Sequence, residues 1–199
     1  VKATKAIGLL LAFGVGAFAC APRIAVAPYK PSPMVAPAAG TTVVTVGGLW
    51  EGPTSSRLEP IARAAEAQGG LVRRYAWDSR GIDLSGASGA VVAIGYSYGG
   101  DTLARLSFAQ RIDVLVLVDP VRHGFHQGEP IAVGPSTGRV ILYVRKGRGL
   151  PVSSPTVTGA PVEVHEFDAS HTGIVGAVAP AIVESIAAEP PRAVSRGPP

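Results

Sequence analysis

The chain has 199 residues, enough for one domain plus extensions, and 47% of them are hydrophobic, enough for a sizeable core. The formal charge of +4 comes from scattered Lys and Arg, with only 6% aromatic residues. No dense basic run with interleaved aromatics is present, so nucleic-acid binding is not expected. The single cysteine, Cys20, excludes an internal disulfide.

Residues 1–20 have the pattern of an export signal. Lys2 and Lys5 precede an apolar run, Ile7 to Phe18, that is short for a bilayer span. Ala17-Phe18-Ala19 fits a small-residue cleavage pattern, and Cys20 follows at once. A cysteine there is similar to the lipid-acceptor site of bacterial lipoproteins, whose usual pattern is Leu-x-Ala/Gly-Cys. Ala17 stands where Leu is usual. Either Cys20 is lipidated and tethers the protein to a membrane, or cleavage releases it. Residues 21–40 carry Pro22, Pro28, Pro31, Pro33 and Pro37, which oppose helices and ladders and favour an extended tether.

The folded domain is expected over 41–188, with a disordered tail at 189–199. Thr41 to Val46 is a β-branched strand ending in Gly47-Gly48-Leu49-Trp50. Leu58 to Gln68 has a helical apolar stripe, with Ser55 or Ser56 as its cap and Gly69-Gly70 as its stop. Leu71 to Trp77 reads as a strand weakened by Arg73 and Arg74. The connection Asp78 to Gly89 leaves room for a helix of at most a turn or two. Val91 to Ile94 is a buried strand that runs into Gly95-Tyr96-Ser97-Tyr98-Gly99 and then a helix to about Arg111. Val114 to Val118 is the strongest strand and ends in Asp119-Pro120. Val121 to Gly138 reads as a long loop, a natural substrate rim. Val140 to Val144 and Val162 to Phe167 are further strands, separated by a loop from Lys146 to Gly159. Thr172 to Ala188 is a closing helix bent at Pro180.

Strands alternating with helices imply an α/β fold, a mostly parallel sheet with helices on both faces and little or no lid. In such sheets, binding groups collect at the carboxyl ends of the strands, where Ser97, Asp119 and His171 all fall. A serine hydroxyl needs a base within reach, and the base needs an orienting carboxylate. His171, in the loop after the last strand, is the expected base, and Asp119 the expected orienter. Their order after the serine is that of hydrolases with this turn. His165, within a strand, and Asp168, three residues from His171, are the rivals. Asp101 is expected to satisfy backbone amides at the start of its helix. The oxyanion donors expected are the backbone N–H groups of Tyr98 and Leu49. No Cys/His spacing resembles a zinc site, and His123 and His126, near Glu129, read as solvated loop histidines. No cofactor is expected.

On Gly47-Gly48-Leu49, Gly95 to Gly100, Val118-Asp119-Pro120 and His171-Thr172, the chain resembles small bacterial and phage-type α/β-hydrolases from about Thr41 to Ala188. Many members carry His-Gly where this chain has Gly47-Gly48. The acid often follows the next strand, where here only Arg145-Lys146-Gly147 is found. Some members, including thioesterase-like ones, use the earlier strand, as Asp119 would. The resemblance implies hydrolysis of a carboxylic ester or thioester, lipid-like or small, through an acyl-enzyme. The alternative is a catalytically silent binding or scaffold protein of the same shape at the cell envelope. Neither reading specifies the oligomeric state.

Overall fold

Valine, leucine and isoleucine occupy the middle of the sheet because both of its faces are covered there. The computed structural model describes residues 40–87, 89–124, 129–146 and 156–187. The signal segment, Cys20, the proline-rich stretch, His126 and the tail lie outside the described residues. In chain order the elements are β1 (Thr42–Val46), α1 (Glu59–Ala67), β2 (Leu71–Tyr75), β3 (Val91–Tyr96), α2 (Tyr98–Leu106) and β4 (Ile112–Val118). They continue as β5 (Ile131–Ala132), β6 (Thr137–Arg145), β7 (Val157–Thr158), β8 (Val162–Phe167) and α3 (Ile174–Ala187). Six strands form one sheet in the order β2-β1-β3-β4-β6-β8, every pairing parallel. The short strands β5 and β7 pair separately, also in parallel.

Strands β1, β3 and β4 are buried along their whole length and are mostly apolar, as parallel strands covered on both faces are, with Thr42, Thr45 and Asp113 as buried polar exceptions. Successive side chains point to opposite faces. Val114, Val116 and Val118 therefore join the core under α1 and α3, while Leu115 and Leu117 join the core under α2. The outer strands carry the charges that a sheet edge tolerates. On β2, Arg74 reaches Glu59 (2.8 Å) and Glu66 (2.7 Å) of α1. On β8, Glu163 pairs with Arg139 of β6. Among the described residues no helix is long and apolar enough to cross a membrane.

Four expectations shift. First, the described part of 78–90 contains no helix. Ile82 and Leu84 are buried there in irregular backbone. Gln110 takes over the missing hydrogen bonds, accepting from Leu84 N (2.5 Å) and donating to Ile82 O (2.6 Å). Second, α2 stops at Leu106 instead of Arg111. Ser107 Oγ donates to Ala104 O (2.6 Å) and accepts from Gly134 N (2.7 Å), which ties the helix end to the incoming loop. Third, the loop after β4 holds β5, and β6 starts at Thr137 because its backbone pairs with Ile112 of β4; β7 likewise falls inside the expected 146–159 loop. Fourth, α3 begins at Ile174 and runs through Pro180. At α1 the cap position is Leu58, without a side-chain cap; Ser56 Oγ takes the Leu58 N–H (3.1 Å) just ahead of it.

Candidate active site

The tightest point of the fold is the junction of β3 and α2. Ser97 stands there with φ 53° and ψ −121°, a conformation that non-glycine residues rarely adopt. The turn closes because its glycines lack side chains. A Cβ on Gly95 would fall 2.6 Å from the Gly99 carbonyl oxygen, and one on Gly99 would fall 2.1 Å from that of Val46. The strain is held by backbone bonds on both sides. Ser97 N donates to Val118 O (3.1 Å), and Ser97 O accepts from Gly100 N (3.1 Å) and Val121 N (3.0 Å).

Asp119 closes β4 in a second positive-φ conformation (φ 40°), its N–H given to Tyr143 O (2.7 Å). Its side chain is 2% exposed. One oxygen, Oδ2, accepts from both His171 Nδ1 (2.5 Å) and Arg145 Nε (2.5 Å). Burial alone would raise the Asp119 pKa. The hydrogen bond and charge of His171, with the charge and hydrogen bond of Arg145, outweigh it and hold the carboxyl below its ordinary value.

His171 follows β8. With Nδ1–H directed at Asp119, its Nε2 lone pair faces Ser97 Oγ at 3.2 Å. Tyr96 fixes the loop: its hydroxyl donates to His171 O (3.0 Å) and its ring lies 5.0 Å from the imidazole. Burial pushes the Tyr96 phenol up to about 12, so it stays a donor at any ordinary pH. The structure thus brings Ser97, His171 and Asp119 into one hydrogen-bonded line.

Leu49 and Tyr98 line the same cavity of about 300 Å³ as Ser97 and His171, with Val121 completing an apolar wall. A Cβ on Gly48 would fall 3.2 Å from Ser97 Cβ and 3.1 Å from the Tyr96 ring, so this loop lies directly against the serine. Glu51, which sequence reasoning missed, shapes it. Glu51 Oε2 accepts from Gly48 N (3.0 Å), Ser56 Oγ (3.0 Å) and Arg57 N (3.3 Å), and Glu51 N donates to Gly48 O (3.1 Å). The Gly48 amide is thereby taken, whereas the Leu49 amide donates to no acceptor among the described residues.

The other candidates lie elsewhere. His165 stacks on Tyr143 and bonds Glu163 at 2.7 Å. No hydrogen bond joins Asp168 to His171 among the described residues. Asp101 does not serve the amides of its own helix start. Its Oδ2 accepts from Arg105 Nε (2.9 Å) and from His123 N (3.2 Å), tying α2 to the loop after β4. His123 is not a solvated loop residue: its ring packs against Trp77 and Tyr98, and Nε2 lies 2.8 Å from Tyr98 O. Among the described residues no three His, Cys, Asp or Glu side chains are placed to hold a metal ion. Arg145, at the end of β6, pairs with Asp119 through its guanidinium. A charged residue closing the apolar run Val140 to Val144 was the visible sign of it.

No family model and no curated protein matches the chain. Solved structures similar to it include a candidate hydrolase of the alpha/beta superfamily from Xanthomonas campestris pv. campestris. It is 16% identical, the match covers 74% of this chain and 95% of that one, and the TM-score is 0.49. An alpha-beta serine hydrolase homologue from Coxiella burnetii is 15% identical, with 74% and 84% covered and a TM-score of 0.46. A serine hydrolase without lid from Xanthomonas campestris is also 15% identical, with 78% and 84% covered and a TM-score of 0.46. The fold assignment rests on the chain's own topology. With its six-stranded all-parallel sheet, its helices and its strand–serine–helix turn, this chain has a mostly parallel α/β fold.

Proposed function

We propose that the chain is a serine hydrolase that cleaves a carboxylic ester or thioester through an acyl-enzyme. The observation that carries this reading is the continuous line from Ser97 Oγ through the His171 ring to a buried Asp119 carboxylate. In it, Ser97 Oγ attacks the substrate carbonyl while His171 Nε2 takes the hydroxyl proton. The carbonyl oxygen becomes an oxyanion held by the backbone N–H groups of Leu49 and Tyr98. Collapse expels the alcohol or thiol, which leaves with the proton from His171. Water, giving its proton to His171 Nε2, then attacks the acyl carbon; the Ser97 Oγ–acyl bond breaks, the carboxylic acid leaves, and Ser97 Oγ takes the proton back from His171. Asp119 keeps the imidazole in the tautomer that accepts from serine and stabilises it when it is charged.

The test is a fluorophosphonate probe, which phosphonylates only an activated serine. Wild type is expected to label, and Ser97→Ala to lose labelling together with about a millionfold of ester turnover. Folded, monodisperse wild type that never labels overturns the reading.

A further inference from the structure

A second cavity, of about 500 Å³, adjoins the catalytic one, and Arg57 and Thr172 line both. Its wall is rich in hydroxyls, from Ser55, Ser56 and Thr172, in contrast to the apolar Leu49–Val121 side of the catalytic cavity. Arg57 is the one Arg or Lys among the described residues that line either space.

Its guanidinium is held from one side. Nη1 donates to Glu51 Oε1 at 2.5 Å. Among the described residues, Nε and Nη2 have no partner. These two N–H groups share one edge of the guanidinium plane, the edge whose spacing matches the two oxygens of a carboxylate. The Glu51 side chain is 7% exposed, and its oxygens are taken by Gly48 N, Ser56 Oγ and Arg57 itself; the Arg57 side chain is 45% exposed. The pair therefore presents its cationic half to the cavities. Glu51 also anchors the guanidinium before a ligand arrives, which lowers the ordering cost of binding. Because Glu51 already offsets one charge, a planar monoanion suits the remaining edge better than a phosphate dianion.

We propose that Arg57 is a carboxylate subsite, and that the substrate is an ester bearing a free carboxylate on the arm that reaches from Ser97 toward Ser55 and Thr172. This rests on the serine-hydrolase reading for its reaction, though not for its binding.

Two measurements separate the two. In Ser97→Ala protein, calorimetry compares monomethyl adipate with dimethyl adipate. The monoanion is expected to bind about tenfold more tightly, the scale of one charge-assisted pair that stays partly exposed. Arg57→Gln abolishes the difference, Arg57→Lys keeps part of it, and added salt weakens it. In otherwise unaltered protein, kcat/KM is compared for mono-p-nitrophenyl adipate and its methyl ester. The ratio favours the acid in wild type and falls to about one in Arg57→Gln; any disturbance of the Glu51 loop lowers both substrates together and cancels in the ratio. Discrimination in binding without turnover of either ester keeps the subsite and overturns the hydrolase. Turnover of both with no preference, or a preference that survives Arg57→Gln, overturns the subsite.

Discussion

Asp119 Oδ2 accepts from two donors, the Arg145 guanidinium and the His171 imidazole. Both Arg145 and Asp119 are nearly excluded from water, with side chains 5% and 2% exposed. Removing one partner of a buried pair leaves the other uncompensated, so Arg145→Met is expected to cost about 3 kcal/mol at pH 7. The sign of the pH dependence follows from the depressed Asp119 carboxyl. As pH falls, the unfolded chain binds this proton first, near the ordinary 3.8, and the folded chain only below it. The stability it supplies is complete above 3.8 and is lost as pH drops through the folded value. Without Arg145 the folded carboxyl takes its proton at a higher pH. Urea unfolding should therefore show a gap between wild type and variant that is widest at neutral pH and narrows toward pH 3. A gap that stays constant would mean that the arginine contributes only packing.

The junction of β3 and α2 is where one element meets three. The start of α2 packs under the end of β1, and the Gly99 position lies 2.1 Å from Val46 O and 2.5 Å from Gly47 O when a Cβ is added. Both neighbours are backbone in a central strand and its exit, with no flexible side chain to yield. Gly99→Ala is expected to destabilise by about 3 kcal/mol, the upper end of overpacking costs. Gly176, near the start of α3, has nothing within 4 Å of its Cβ position. Gly176→Ala should therefore stabilise by about 0.5 kcal/mol through helix propensity alone. Opposite shifts of the urea midpoint for one chemical change would locate the strain in the junction. This junction was legible in the sequence because its signal is local: an apolar run, Gly-x-Ser-x-Gly, then a helical start. The irregular 78–90 connection was not, since the groups that replace its hydrogen bonds belong to Gln110, over twenty residues away. The early end of α2 was hidden likewise, because Ser107 takes its partner from Gly134.

Across the whole molecule, three non-glycine residues among those described have positive φ: Trp50, Ser97 and Asp119. Each follows the carboxyl end of a strand in the central part of the sheet, which is where an open parallel sheet collects its functional groups. Chain order was enough to bring Ser97, Asp119 and His171 to one edge, because each ends or follows a readable strand. The roles of Glu51, Arg57, Tyr96 and Arg145 were not legible because their partners depend on where long side chains turn, and no periodicity records that. The two cores, one under α1 and α3 and one under α2, are both built from residues within 42–187. Every side chain in the proposed reaction and every strand of the six-stranded sheet also falls within that span. The described residues thus hold two cores and the whole of the proposed catalytic line. A chain restricted to 40–187 is expected to unfold in a single cooperative transition and to label with a fluorophosphonate at the rate of the full chain. Labelling that collapses on truncation while the transition survives would mean that an outlying segment completes the site. Loss of the transition itself would mean that the two cores do not suffice.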